Sequence, residues 1–307
     1  MRLLTRSDFD GLASAVLLVE AGVVDGYKFV HPKDIQDGII EIDENDVLAN
    51  IPFSPGCGLW FDHHFSEMER LELLERHQFR GESRPSPSCA RVIYDYYGGA
   101  EKYTKFEESG LMGAVDKWDA GQLTREDILH PGSWMLLAYI MDPTGLGRFK
   151  DYRISNYQLM EQMIEWCGNM HAEAILEQPD VRERVTRYFE QDTLFREMIR
   201  KNGTSRGNVF VLDLRNEAEI FSGNRFVLYT MYPDCNISIQ VIWGRDKQNV
   251  VFTCGHSIVN RTSNTDVGSL MLKYGGGGHK KVGTCQTPID RADQVLERLV
   301  EEMNEDG

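Results

Sequence analysis

Hydrophobic residues open the chain in two blocks, RLLTR (2–6) and LASAVLLVEAG (12–22), separated by the polar SDFDG (7–11). The pattern predicts a strand, a tight turn and a helix closed by Gly22. YKFVH (27–31), DVLANIPF (46–53) and GCGLWFDHH (56–64) read as further strands, the last ending in charge. SEMERLELLERH (66–77) has the spacing of an amphipathic helix, and SPSCARVIYDYYG (86–98) starts another after a Ser/Pro entry. Strands alternating with helices predict an α/β class with an open, mostly parallel sheet.

From about 153 to 202 the apolar spacing is helical, which predicts a connector. After Gly203 the texture turns to β, in NVFVLDL (208–214), RFVLYTMY (225–232), CNISIQVIWG (235–244) and NVVFTCGHSI (249–258). A final helix, DRADQVLERLVEEMNE (290–305), closes a smaller α+β region. The expected organisation is a first domain over 1–150, a helical connector over 151–204 and a second domain over 205–307.

Composition narrows what such a chain can do. The formal net charge is -15 over 307 residues, and the pI is about 5.0. Duplex DNA is therefore not an expected partner, since that affinity rests on clustered Lys and Arg. A small anion held at a local positive site is compatible with this charge. The six cysteines (57, 89, 167, 235, 254, 285) form no CxxC pair, so reduced thiols are expected rather than a zinc site or a disulfide framework. The first strand begins at residue 1 or 2, leaving no room for a signal peptide, and the longest apolar run, WMLLAYIM (134–141), is too short for a bilayer. The expectation is a cytoplasmic protein with no membrane partner.

In open parallel sheets, ligands bind outside the carboxyl ends of the strands. Asp8, Asp10, Asp62, His63 and His64 all fall at such ends. Carboxylates separated by a single residue repel each other and resist desolvation unless something positive lies between them. Carboxylate and imidazole together suit Mn²⁺, Mg²⁺, Fe²⁺ or Zn²⁺, and an oxygen-rich set leans to Mn²⁺ or Mg²⁺. GAVDKWDAG (113–121) adds Asp116 and Asp119, and a helix turning Asp116 inward would complete a ligand set from three segments. Taken singly, FDHHFSE also reads as a capping aspartate before two histidines, and GGGGH as a flexible turn.

The order SDFDG, FDHH, AVDKWDAG and KYGGGGHKKVG resembles the DHH phosphoesterase superfamily. It is most similar to the members that join a DHH domain to a DHH-associated domain with a GGGGH loop, the exopolyphosphatase-like and nanoRNase-like enzymes. The resemblance implies a dinuclear centre, usually Mn²⁺ with Mg²⁺ or Co²⁺ as substitutes, that hydrolyses phosphoester or phosphoanhydride bonds. It places Asp8 on a first ion and Asp10, His63 and Asp116 on a second. His64 would face the phosphoryl group and Asp62 would support the histidines. Two ions about 3.5–4 Å apart can clamp the attacking and leaving oxygens of a phosphoryl group. In the second domain, backbone N–H groups of Gly275, Gly276, Gly277 and Gly278 could form a phosphate nest. His279, Lys280 and Lys281 add positive charge there, and Arg261 matches the substrate-binding arginine upstream.

Two positions depart from the family pattern. Many relatives carry a histidine where this chain has Leu4, and a bridging aspartate where it has Asn50. An amide oxygen can ligate a hard cation but adds no charge, so the first metal site is expected to be weak. His31 reads as a satisfied strand-end residue, with a substitute ligand for this site as the alternative, and Asp119 reads as a cap or an orienting group. The implied activity is metal-dependent hydrolysis of a small anion such as polyphosphate, a short single-stranded oligonucleotide or a nucleoside bisphosphate. The alternative, favoured by Leu4 and Asn50, is a phosphate-binding module with impaired turnover. A homodimer is a common assembly in such folds.

Overall fold

β1 (Arg2–Arg6) is buried along its middle, and it is the hub of the first sheet. In this computed structural model, which describes residues 1–73, 78–143 and 145–307, β2 (Gly26–Val30), β3 (Asp46–Ala49), β4 (Leu59–Asp62) and β5 (Gly81–Ser83) join it in the order β2-β1-β3-β4-β5. Every pairing is parallel, with Leu4 opposite both Lys28 and Leu48. The fold class is thus the α/β class expected. The chain leaves β1 toward β2 and then crosses back to β3, so the carboxyl ends of β1 and β3 flank the switch point where such sheets bind ligands.

One strand ends earlier than expected, and one strand was not expected at all. β3 stops at Ala49 rather than running to Phe53, because Asn50 takes a left-handed backbone at φ 57° and turns the chain away. The three-residue β5 has no hydrophobic alternation to announce it.

Helices α1 (Phe9–Glu20), α2 (Pro32–Gln36) and α3 (Phe65–Leu73) follow β1, β2 and β4. The last residues of the helix expected over 66–77 lie outside the described residues. Then come α4 (Cys89–Tyr96), α5 (Ala100–Glu108) and α6 (Leu111–Asp119). α7 (Arg125–Leu129) precedes α8 (Ser133–Met141), α9 (Asn156–Asn169), α10 (Ala172–Leu176) and α11 (Pro179–Asn202). α1 packs against α4, α6 and α9. On the other face, Leu4, Val30, Ile35, Leu48, Ile51, Trp60 and Leu71 close an apolar core. No described helix is long and apolar enough to cross a membrane.

The chain divides into two compact units, residues 1–122 with 131–187, and residues 123–130 with 188–307. The helices over 151–204 are not a third body: α9 and α10 belong to the first unit, and α11 carries residues of both. The second unit holds a mixed sheet of β6 (Gly203–Arg206), β7 (Val209–Asp213), β8 (Ile237–Trp243), β9 (Val250–His256), β10 (Gly277–His279) and β11 (Val282–Thr287), in the order β10-β11-β9-β8-β7-β6. Residues of α13 (Val267–Lys273) and α14 (Ala292–Asp306) close its apolar core with side chains of β7, β8, β9 and β11. RFVLYTMY, expected as a strand, instead contains α12 (Val227–Met231). Here tertiary contacts override β propensity: the Tyr229 hydroxyl reaches Ser238 and the carbonyl of Gly255, and Val227 is buried.

One ion pair stitches the first sheet. The Arg2 guanidinium donates to both carboxylate oxygens of Asp46 at 2.7 and 2.8 Å, across the β1–β3 register. Burial alone would raise the Asp46 carboxyl, but the Arg2 and Asp43 hydrogen bonds outweigh it and hold it below the usual range. A depressed carboxyl stabilises the fold above its unfolded pKa, and the contribution disappears as pH falls through the depressed value. Asp46→Asn should therefore cost about 2 kcal/mol at neutral pH, with the deficit narrowing below about pH 4. Urea melts at pH 7 and pH 3 read this, and an equal deficit at both would refute the assignment.

Candidate metal centre

The turn between β1 and α1 delivers two aspartates into different surroundings. Asp8 is the N-cap of α1: its Oδ1 accepts the Gly11 N–H at 2.9 Å and the Asn50 amide at 3.0 Å. Its Oδ2 lies 2.9 Å from Arg6 Nε. Asp10, two residues on, is buried against the start of α4, where the N–H groups of Cys89 and Ala90 hold its two oxygens at 2.9 and 2.8 Å. A helix N-terminus is a natural seat for a carboxylate.

The histidines follow β4. His63 Nδ1 sits 3.2 Å from the Ser86 carbonyl, which can only accept, so Nδ1 carries a proton and Nε2 is the ring nitrogen left to meet a ligand. That Nε2 is buried and has no hydrogen-bond partner. It points between Asp10 Oδ2 at 3.6 Å and Asp119 Oδ2 at 3.2 Å. The three donor atoms lie within 4.8 Å of one another. His64 is tied differently, with Nδ1 2.8 Å from Asp62 Oδ1, at the end of the strand. The other oxygen of Asp62 is buried without a partner.

Electrostatics at this cluster favour a cation. Burial, opposed by His63 and reinforced by the charge of Asp8, pushes the Asp10 carboxyl up to about 6. Burial and then the negative charges of Asp10 and Asp8 hold Asp119 well above the carboxylate range. Burial disfavours a charged His64, but its bond to Asp62 and the surrounding carboxylates prevail and raise it to about 9. An orphaned imidazole nitrogen between two carboxylates that resist ionisation together is the donor set a divalent cation relieves.

Asp116 is not in this cluster. Its Oδ1 accepts from the Ser88 hydroxyl at 2.7 Å, and its Oδ2 receives Arg91 Nε at 2.8 Å and Nη2 at 2.7 Å. Arg91 is thus an internal clamp that also reaches Glu107. Asp119, one turn further along α6, stands where Asp116 was expected. Asn50 does lie beside Asp8, but it presents its amide N–H there. His31 caps α2, its Nδ1 accepting from the Lys33 N–H at 3.1 Å.

In the second unit, the glycine run is ordered otherwise than as a nest. The N–H groups of Gly275 and Gly276 donate to the carbonyls of Leu272 and Met271, which closes α13 with Gly275 left-handed at φ 76°. Gly277, Gly278 and His279 form the edge strand β10 against β11. His279 and Lys280 are exposed, as is Arg261, whose Nε donates to the Ile258 carbonyl. All six cysteines are free thiols.

No protein-family model matches the chain, and a search of curated proteins finds no match. Among solved structures, a pGpG-specific phosphodiesterase, PggH from Vibrio cholerae, is 45% identical, with a TM-score of 0.88 over 100% of this chain and 99% of that one. The DHH domain of a member of the s1p family of ribosomal proteins matches at 12% identity and a TM-score of 0.57, over 99% of this chain and 86% of that one. RecJ from Thermus thermophilus in complex with Mn²⁺ matches at 13% identity and a TM-score of 0.54, over 99% of this chain and 52% of that one. The two distant matches share the fold. The chain belongs to the DHH phosphoesterase superfamily, and it is a phosphoester hydrolase.

Proposed function

We propose that this chain is a metal-dependent phosphodiesterase that cleaves a short linear 5′-phosphorylated dinucleotide of the pGpG kind into mononucleotides. The observation that carries this reading is the 45% identity to a pGpG-specific phosphodiesterase over essentially both whole chains. Asp10, His63 and Asp119 hold the cation in this proposal, with Mn²⁺ or Mg²⁺ favoured by the oxygen-rich donor set. A divalent ion there supplies Lewis-acid charge to a phosphoryl oxygen and acidifies water.

The chain's own groups do the rest. The α4 N-terminus fixes Asp10, and the Ser86 carbonyl fixes the His63 tautomer. Asp62 orients His64 through Nδ1, which leaves Nε2 as the atom to face the phosphoryl group. In the reaction a water oxygen bonds to phosphorus, the bond from phosphorus to the 3′ oxygen breaks, and the departing oxygen takes a proton. Arg261, His279 and Lys280 of the second unit are assigned to contacts with substrate anions.

The test is a matrix of Mn²⁺, Mg²⁺, Co²⁺ and Zn²⁺ against pGpG, other dinucleotides, pyrophosphate, polyphosphate and 3′,5′-bisphosphates. Linear dinucleotides should turn over fastest with Mn²⁺ or Mg²⁺, and chelation should stop the reaction. Faster cleavage of polyphosphate or a bisphosphate would refute the assignment.

A further inference from the structure

Asp8 and Asp10 are chemically unequal, although the sequence sets them two residues apart. Asp10 opens toward an orphaned imidazole nitrogen, whereas Asp8 is engaged on both oxygens by donors of the chain itself. Oδ1 takes two N–H groups, from Gly11 and Asn50, and Oδ2 takes Arg6 Nε.

The other groups a first ion would need are also missing. Leu4 is packed among Val30, Leu48, Ile51 and Trp60 and offers no ligand atom. Opposite a carboxylate oxygen only the NH₂ end of an amide is favourable, so the Asn50 oxygen is turned away from Asp8. His31 Nδ1 is committed to the cap of α2. What the chain provides instead is a fixed positive charge. The Arg6 side chain is half exposed, and with Nε on Asp8 its two terminal nitrogens suit a planar bidentate anion.

We propose that Arg6 takes the place of the first metal ion. The centre then works with one divalent cation, at Asp10, His63 and Asp119, and the Arg6 guanidinium, braced by Asp8, supplies the second positive charge to the phosphodiester. The first-site residues do not fit an ion, and the fit at Asp10, His63 and Asp119 is unaffected. This inference rests on the phosphodiesterase reading above, and its test separates the two.

The full chain, freed of metal, is titrated with Mn²⁺, and bound ions are counted by the paramagnetic signal of free Mn²⁺. Turnover is read on bis(p-nitrophenyl) phosphate, which presents only a phosphodiester, and on pGpG. One ion per wild-type chain is expected, lost in His63→Ala and kept in Arg6→Ala. Arg6→Ala should lower kcat on both substrates about 10²–10³-fold, the effect of deleting a preorganised charge at a phosphoryl oxygen. Arg6→Lys should recover part of it, since the charge stays and the fork is lost. Two ions per wild-type chain, no ion, or an Arg6→Ala variant within about twofold of wild type would overturn the proposal. Failure on pGpG alone, with one ion and the Arg6 effect intact on the aryl diester, would overturn the dinucleotide reading and leave Arg6 in place.

Discussion

Asp119→Asn is expected to abolish turnover, a loss of about 10³-fold or more in kcat/KM, together with the bound cation. A thousandfold corresponds to about 4 kcal/mol of transition-state stabilisation, in line with removing a charged ligand from a three-donor set. Asp119 Oδ2 is the nearer of the two carboxylates to His63 Nε2, at 3.2 Å against 3.6 Å for Asp10. Asp116→Asn is the instructive comparison. That carboxylate touches Ser88 and Arg91, and Ser88 caps the helix whose first N–H groups grip Asp10. Its loss should act through that positioning alone, costing about 10- to 100-fold with one ion still bound. Kinetics with ion counting on both variants decide the matter. If Asp116→Asn lost the ion and Asp119→Asn kept it, the assignment of this centre would be reversed.

The choice between those two aspartates shows where the sequence stops being sufficient. They lie three residues apart, so both fall on one side of a helix, and spacing cannot rank them. Arg91 decides it, from 25 residues away, by neutralising Asp116. The α/β class was legible because strand and helix patterns alternate from residue 2 to residue 98. The convergence of Asp8, Asp10, Asp62, His63 and His64 was legible because all lie at or just past the carboxyl ends of two strands of one parallel sheet. RFVLYTMY misled because its aromatic and β-branched residues are buried by a helix as well as by a strand. A run of four glycines serves a nest, a turn, a helix closure or an edge strand, and only the register with β11 chooses. The carbonyl of Ser86 and the N–H groups of Cys89 and Ala90 carry no side-chain signal at all, yet they set the His63 tautomer and hold Asp10.

The same dependence on backbone makes Gly11→Ala a damaging small substitution for the centre. A Cβ at Gly11 would lie 2.0 Å from the Arg6 carbonyl oxygen and 2.9 Å from Thr5 Oγ1, closer than atoms approach without bonding. Both obstacles belong to β1, pinned on either side by β2 and β3, so relief must come from moving the start of α1 away from the strand. Overpacking of this kind costs about 3 kcal/mol or somewhat more, which for a chain of this size lowers Tm by about 5 °C. The displaced turn carries Asp8 and Asp10, and the Gly11 N–H is itself a donor to Asp8. Turnover should therefore fall more steeply than stability, even at temperatures where the variant is folded. Gly113→Ala is the matching control: it sits within α6, a Cβ there meets nothing within 4 Å, and removing glycine's freedom should stabilise by up to about 1 kcal/mol. Thermal melts and kcat for the pair test the idea. A Gly11→Ala protein as stable and active as Gly113→Ala would show that the β1–α1 junction yields easily, and that the two aspartates are not held by its close approach.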